Sequence, residues 1–108
     1  MRNWLQTEYQ AIIFEHDDRP VAYALYRQEE DGIYLRQFFV DRQQRRQGLG
    51  RQALQLLLSE VWPLEARVTL EVLVNNRRGQ EFWKALGFRE YALTLEMLPE
   101  KKPLQAEE

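Results

Sequence analysis

Residues Ile33 to Trp62 read IYLRQFFVDRQQRRQGLGRQALQLLLSEVW. The run Ile33–Val40 suits a strand, and a basic, glycine-containing loop follows it. Leu49, Ala53, Leu57 and Val61 then recur every four residues, flanked by Leu54 and Leu58, which makes one apolar helix face. Pro63 ends that helix. The loop Arg45-Arg46-Gln47-Gly48-Leu49-Gly50 is the chemical feature. Consecutive backbone N–H groups at the positive end of a helix make an anion site. Glycine at 48 and 50 lets a phosphate approach the backbone. Arg45, Arg46 and Arg51 add charge-assisted donors for its oxygens.

Working outward toward the N-terminus, Gln10–His16 (QAIIFEH) reads as a strand, and Asp17-Asp18-Arg19-Pro20 as a turn. Val21, Tyr23 and Leu25 alternate with Ala22, Ala24 and Tyr26 in a second strand. Glu29-Glu30-Asp31-Gly32 is a second turn. Connections this short demand an antiparallel meander of three strands.

Beyond Pro63, Arg67–Val74 (RVTLEVLV) is predicted as a fourth strand. It is reached through a helix and so runs parallel to the third. Asn76 is placed to cap a helix over Arg77–Leu86, whose apolar stripe is Gly79, Phe82, Trp83 and Leu86, with Gly87 ending it. A last strand is expected over Phe88–Met97, where Tyr91, Leu93, Leu95 and Met97 alternate. The order β-β-β-α-β-α-β gives an α/β chain: a mixed sheet with helices packed on its faces. A cleft belongs at the C-terminal ends of the two parallel strands, where Val40 and Asn75 leave the sheet.

The 108 residues support one small domain, expected over 1–98, with a disordered tail over 99–108. A charged fraction of 30% beside 44% hydrophobic residues is that of a globular protein in water. The net charge of −2 gives no overall attraction to nucleic acid or anionic membrane, so any basic site is local. Without cysteine there is no disulfide, thiolate metal site or cysteine nucleophile, and no metal site is expected. No apolar run has membrane-spanning length, Met1-Arg2-Asn3-Trp4 does not open a signal peptide, and a cytoplasmic protein is the default.

Gly48-Leu49-Gly50-Arg51-Gln52-Ala53 also fits the loose dinucleotide pattern G-x-G-x-x-A. Seven residues, Asp41–Gln47, separate it from the strand, where a dinucleotide turn is tight. The acidic residue at the required distance, Glu71, falls mid-strand. Four arginines at 42, 45, 46 and 51 could meet nucleic acid, but the acidic balance and the lack of a nucleic-acid module argue against it. A plain loop with solvated arginines is the structural alternative.

The pattern R-x-x-G-x-G, after a strand and opening a helix, resembles the acyl-CoA-binding motif of the GNAT superfamily of N-acetyltransferases. A second segment, Asn76-Arg77-Arg78-Gly79-Gln80-Glu81-Phe82-Trp83-Lys84-Ala85-Leu86-Gly87-Phe88, resembles that family's later signature. Asn76, Gly79, Phe82, Gly87 and Phe88 fall in register with it, and Leu70-Glu71-Val72 resembles the strand before it. The two segments span Ile33 to Phe88, about half the chain.

The resemblance implies an enzyme that moves an acetyl group from acetyl-CoA to an amine by direct attack. The backbone of Phe39 and Val40 would pair with pantetheine. The loop Arg45, Arg46, Gln47, Gly48, Leu49, Gly50 with Arg51 would hold the phosphates. Asn76 would touch the pantetheine arm, and Phe82 and Trp83 would line the cofactor side. The Val40 N–H would face the oxyanion. Glu71 is the candidate base, because its neighbours Leu70 and Val72 face the other side of the sheet; a salt bridge to Arg36 or Arg67 is the alternative reading. His16, the only histidine, reads as surface.

Trp83 stands where the family usually has a tyrosine, proposed to protonate the leaving thiolate, and an indole is no acid. Tyr34 or Tyr91 could substitute. At most nine residues precede the first hairpin, where the family usually has a strand and one or two helices. The partners expected are acetyl-CoA, an unidentified small-molecule or protein amine, and a second copy in a homodimer that covers the missing wall. A non-catalytic CoA-binding module on the same fold is the alternative.

Overall fold

The computed structural model describes residues 8–42 and 48–103. Four strands form one sheet in the order β1-β2-β3-β4: β1 over Gln10–His16, β2 over Arg19–Glu29, β3 over Gly32–Val40 and β4 over Val68–Thr69. The first three are antiparallel, and β4 runs parallel to β3. Asp17 and Asp18 both take positive φ, of 55° and 65°. Two such residues give a hairpin turn whose twist matches its strands, and aspartate tolerates that region better than most side chains. The second hairpin turns through Glu30 and Asp31.

Helix α1 runs over Leu49–Leu56 and continues as one π-helical turn over Leu57–Val61 before Pro63. Helix α2 covers Arg77–Ala85. The core lies between these helices and one sheet face. Ala24 and Tyr26 of β2, and Ile33 and Leu35 of β3, meet Leu54 and Leu57, with Trp62 closing the end. Leu54 and Leu57 are fully buried, each contributing about 1.5–3 kcal/mol of apolar transfer. Trp62 meets Tyr26 edge to face at 5.3 Å. Trp83 of α2, and Leu86 and Phe88 after it, pack against the same cluster. The opposite face, with Tyr23, Arg27 and Tyr34, carries no helix among the described residues.

Strand order, direction and helix placement follow the expectation from sequence. Two elements differ. The fourth strand, predicted over Arg67–Val74, is paired only at Val68–Thr69, because β3 turns away from it. Leu25 pairs with Gln37 and Tyr26 with Leu35, so Arg36 is an extra residue on β3. Such a bulge bends the strand that holds it.

The last predicted strand, Phe88–Met97, is not a strand here. Tyr91, Leu93, Leu95 and Met97 alternate as the sequence promised, yet all four are exposed. A strand needs a neighbour for its ladder, and none lies beside this stretch among the described residues. Pro99–Lys101, assigned from composition to a disordered tail, closes a short 3-10 turn.

Candidate functional site

The site is built from the parting of two parallel strands. β3 and β4 pair at Ile33–Val68 and Tyr34–Thr69 and nowhere beyond. The base of the junction is tight. The Ile33 N–H donates to the Arg67 carbonyl at 2.8 Å. A Cβ on Gly32 would stand 2.1 Å from that carbonyl oxygen, and Gly32 has φ +151°, so only glycine fits. Past Tyr34, β3 keeps its ladder with β2 to Val40 while β4 departs. The result is a V that opens toward the C-terminal ends of both strands.

The start of α1 stands at the mouth of that V. Gly48 is its N-cap, at φ 75°, with no side-chain cap and no acidic residue in the first turn. The first-turn N–H groups of a helix have no intrahelical partner and carry its positive end. Among the described residues, leaving out its chain neighbours, nothing lies within 4 Å of where a Cβ on Gly48 would be, which leaves that side of the turn open to an anion. Gly50 has the opposite surroundings. Its Cβ would lie 3.3 Å from Val40 Cγ2 and 3.6 Å from the Phe82 ring. Val40, Gly50 and Phe82 are thus drawn together at one point, with Leu49 and Arg51 beside it on the helix. Arg45, Arg46 and Gln47 lie outside the described residues.

Asp41 donates its N–H to Val21 at 2.7 Å. Alternation along a strand directs the Val40 N–H to the other edge, the β4 side. Phe39 is half-exposed at the same end, its ring 5.8 Å from that of Tyr23. Asn76 accepts the Gly79 N–H at 2.9 Å through Oδ1, so its side chain is the cap of α2. Phe82 stacks on Phe38, and Trp83 meets Phe38, Phe82 and Phe88 edge to face.

Glu71 stands just past the junction, on the helix-free face. Its Oε1 accepts from the Tyr34 hydroxyl at 3.5 Å. The salt-bridge alternative for Glu71 is not what forms: Arg67 pairs with Asp31 at 3.4 Å, and Arg36 lies over the Tyr9 ring at 5.3 Å. Burial, and then the neighbouring Glu71 carboxylate, push the Tyr34 phenol above the ordinary tyrosine range. It therefore stays a proton donor at neutral pH. Sequence reading named Tyr34 without a location. The missing signal was register: Tyr34 opposite Thr69 puts it on the face of Glu71, two residues on. His16 sits on the β1–β2 hairpin, two strands from the V, 3.6 Å from Asp17.

The sequence profile of the acetyltransferase (GNAT) family matches residues 1–88. The chain belongs to the GNAT family. No curated protein sequence matches it significantly. Among solved structures, a tetramutant of the BH1408 protein from Bacillus halodurans superposes with a TM-score of 0.74 at 20% identity, over 84% of this chain and 66% of that one. The ribosomal-protein-S18-alanine N-acetyltransferase from Escherichia coli gives 0.69 at 28% identity, over 78% and 55%. The aminoglycoside N-acetyltransferase AAC(6')-Iy, solved in complex with CoA, gives 0.68 at 18%, over 82% and 73%. This GNAT chain thus spans about two thirds of the BH1408 protein and about half of the Escherichia coli enzyme. No helix among its described residues is long and apolar enough to cross a membrane.

Proposed function

We propose that this chain is an acetyl-CoA-dependent N-acetyltransferase acting on a primary amine by direct attack. The observation that supports it most is the one-ended pairing of β3 with β4, with an uncapped glycine helix start at its mouth.

The first-turn N–H groups at Gly48, Leu49 and Gly50 hold the pyrophosphate of acetyl-CoA, with Arg45, Arg46, Gln47 and Arg51 supplying further donors. Pantetheine lies along β3 as an added strand against Phe39 and Val40, with Asn76, Phe82 and Trp83 on its far side. An acceptor like a lysine side chain has a pKa near ~10.4 and must lose a proton before it attacks. Glu71 takes that proton. The amine nitrogen bonds to the thioester carbon, the C–S bond breaks, and the remaining surplus proton on nitrogen passes to the departing thiolate, which leaves as the thiol of CoA. The oxyanion formed on the way faces the Val40 N–H. Tyr34, held protonated beside Glu71, is the phenol assigned to support turnover where Trp83 offers no acid.

Calorimetric titration with acetyl-CoA and with CoA tests the reading, beside a Gly48→Glu variant. Among the described residues nothing crowds the Gly48 Cβ position, so a carboxylate there repels phosphate without entering the core, at the cost of some strain at φ +75°; unchanged circular dichroism separates the two effects. Affinity is expected to fall at least tenfold, and an amine screen then follows turnover. Wild type that binds neither ligand sinks the proposal. Binding without turnover on any amine favours the non-catalytic module.

A further inference from the structure

We infer that the acceptor is a small amine carrying a carboxylate of its own, and that Arg36 is the residue that selects it. The inference rests on the acetyl-transfer reading, with Glu71 receiving the amine. The helix-free side of the V holds an anion and a cation that do not meet. Glu71 accepts from Tyr34, and no lysine or arginine among the described residues lies within 4.0 Å of its carboxylate. The guanidinium of Arg36 likewise pairs with no carboxylate among the described residues.

Register sets these two charges opposite each other. Tyr34 pairs with Thr69, the last rung between the strands. Two residues on stand Arg36 in β3 and Glu71 beyond β4, one on each bank of the opening. Arg36 is also the extra residue of the β3 bulge, and a bulge re-aims the side chain it carries. Contact fixes where that side chain goes. Its guanidinium lies over the Tyr9 ring at 5.3 Å, and Nη1 donates to the Tyr9 hydroxyl at 3.3 Å.

Tyr9 holds Arg36 without neutralising it. The ring face and the hydroxyl restrain the side chain, which lowers the entropy lost when it grips a ligand. Most of its N–H fork stays available for a carboxylate, a planar anion that the fork meets through two N–H groups at once. Arg27, on the same face, differs. It lies between the Tyr9 and Tyr34 rings, at 5.2 and 5.4 Å, and its Nε donates to Glu29 at 2.8 Å. Arg27 braces the two tyrosines, and Arg36 is left to bind. Arg36 and Glu71 are both exposed, so a solute reaches them without movement of the core.

An acceptor with both charges completes both pairings. Its ammonium meets Glu71, which takes the proton, and its carboxylate meets Arg36 from the other bank. The strands part from about 4.8 Å at their last rung, so a molecule a few bonds long reaches both. Holding it by its two ends aims the amine at the thioester. An amine with no anionic group satisfies Glu71 and leaves the guanidinium without its partner.

Release of thiol from acetyl-CoA tests this with glycine, β-alanine, γ-aminobutyrate and δ-aminovalerate, each beside its amide. The wild type is expected to prefer at least one acid over its amide by about 10- to 100-fold in kcat/KM, as one hydrogen-bonded contact to a charge supplies. Arg36→Leu should abolish that preference by raising KM for the acid. Arg36→Glu should turn it toward the amide, and Arg36→Lys should keep part of it. The lysine variant retains charge and length at the bulge, so it decides the matter if circular dichroism shows the leucine variant unfolded. A wild type indifferent to the carboxylate overturns the inference and leaves acetyl transfer standing. So does a preference that survives in folded Arg36→Leu, or one undiminished in Arg36→Lys where only that variant folds. Acetyl-CoA bound with no amine of the panel turned over overturns both.

Discussion

The two edges of β3 are made of the same strand and behave oppositely. Toward β2 it is laddered from Gly32 to Val40, interrupted only by the Arg36 bulge. Toward β4 it is laddered at Ile33 and Tyr34 and then released. The closed edge keeps Leu35 and Ile33 in the core. The open edge meets Glu71, the α1 start and Phe82. Stability and chemistry are therefore separated across one strand, and substitutions should sort by the edge they touch.

The largest effect belongs to the closed side. Leu35→Ala empties a buried position and should cost about 2–5 kcal/mol. Thermal melting should fall by more than about 10 °C, while acetyl-CoA affinity, corrected for the folded fraction, should hold. Glu71→Gln works on the open side. We expect kcat to drop about 100-fold or more, roughly 2.7 kcal/mol of barrier, with melting unchanged. A melting curve that falls with kcat would show that Glu71 is structural. Gly32→Ala attacks the point where the edges meet, since its methyl would drive into the Arg67 carbonyl. It should cost about 1–3 kcal/mol and also weaken acetyl-CoA binding, the one change among the three to disturb both readouts. Equal loss of affinity in Leu35→Ala would abolish the distinction between the edges.

Much of this was legible in sequence, for local reasons. The hairpins were carried by Asp17-Asp18 and by Gly32. The parallel placement of β4 followed from the helix that intervenes. The glycine pair at 48 and 50 marked the helix start, and the structure gives the two different tasks: open space at one, close packing at the other. What was not legible was pairing. Alternation over Phe88–Met97 states that one face wants cover, and says nothing of where the cover comes from. The apolar run Leu70–Val74 looks like strand, yet whether it stays against β3 depends on a bulge at Arg36, an ordinary residue with no bulge signature. The contact of Tyr34 with Glu71, 37 positions apart, needed register that only the folded sheet supplies.

Because β3 and β4 share a root and no tips, no strand ladder between them sets the angle at which they part. That angle is held by bulk, where Val40 and Phe82 close on the bare Cα of Gly50. Side-chain volume thus acts as the ruler for the width of the cleft. Bulk yields differently from a ladder. A ladder comes apart rung by rung in discrete steps, whereas dispersion contacts weaken smoothly with distance. A molecule entering the V works against a soft wedge, and the gap adjusts by degrees to what it holds.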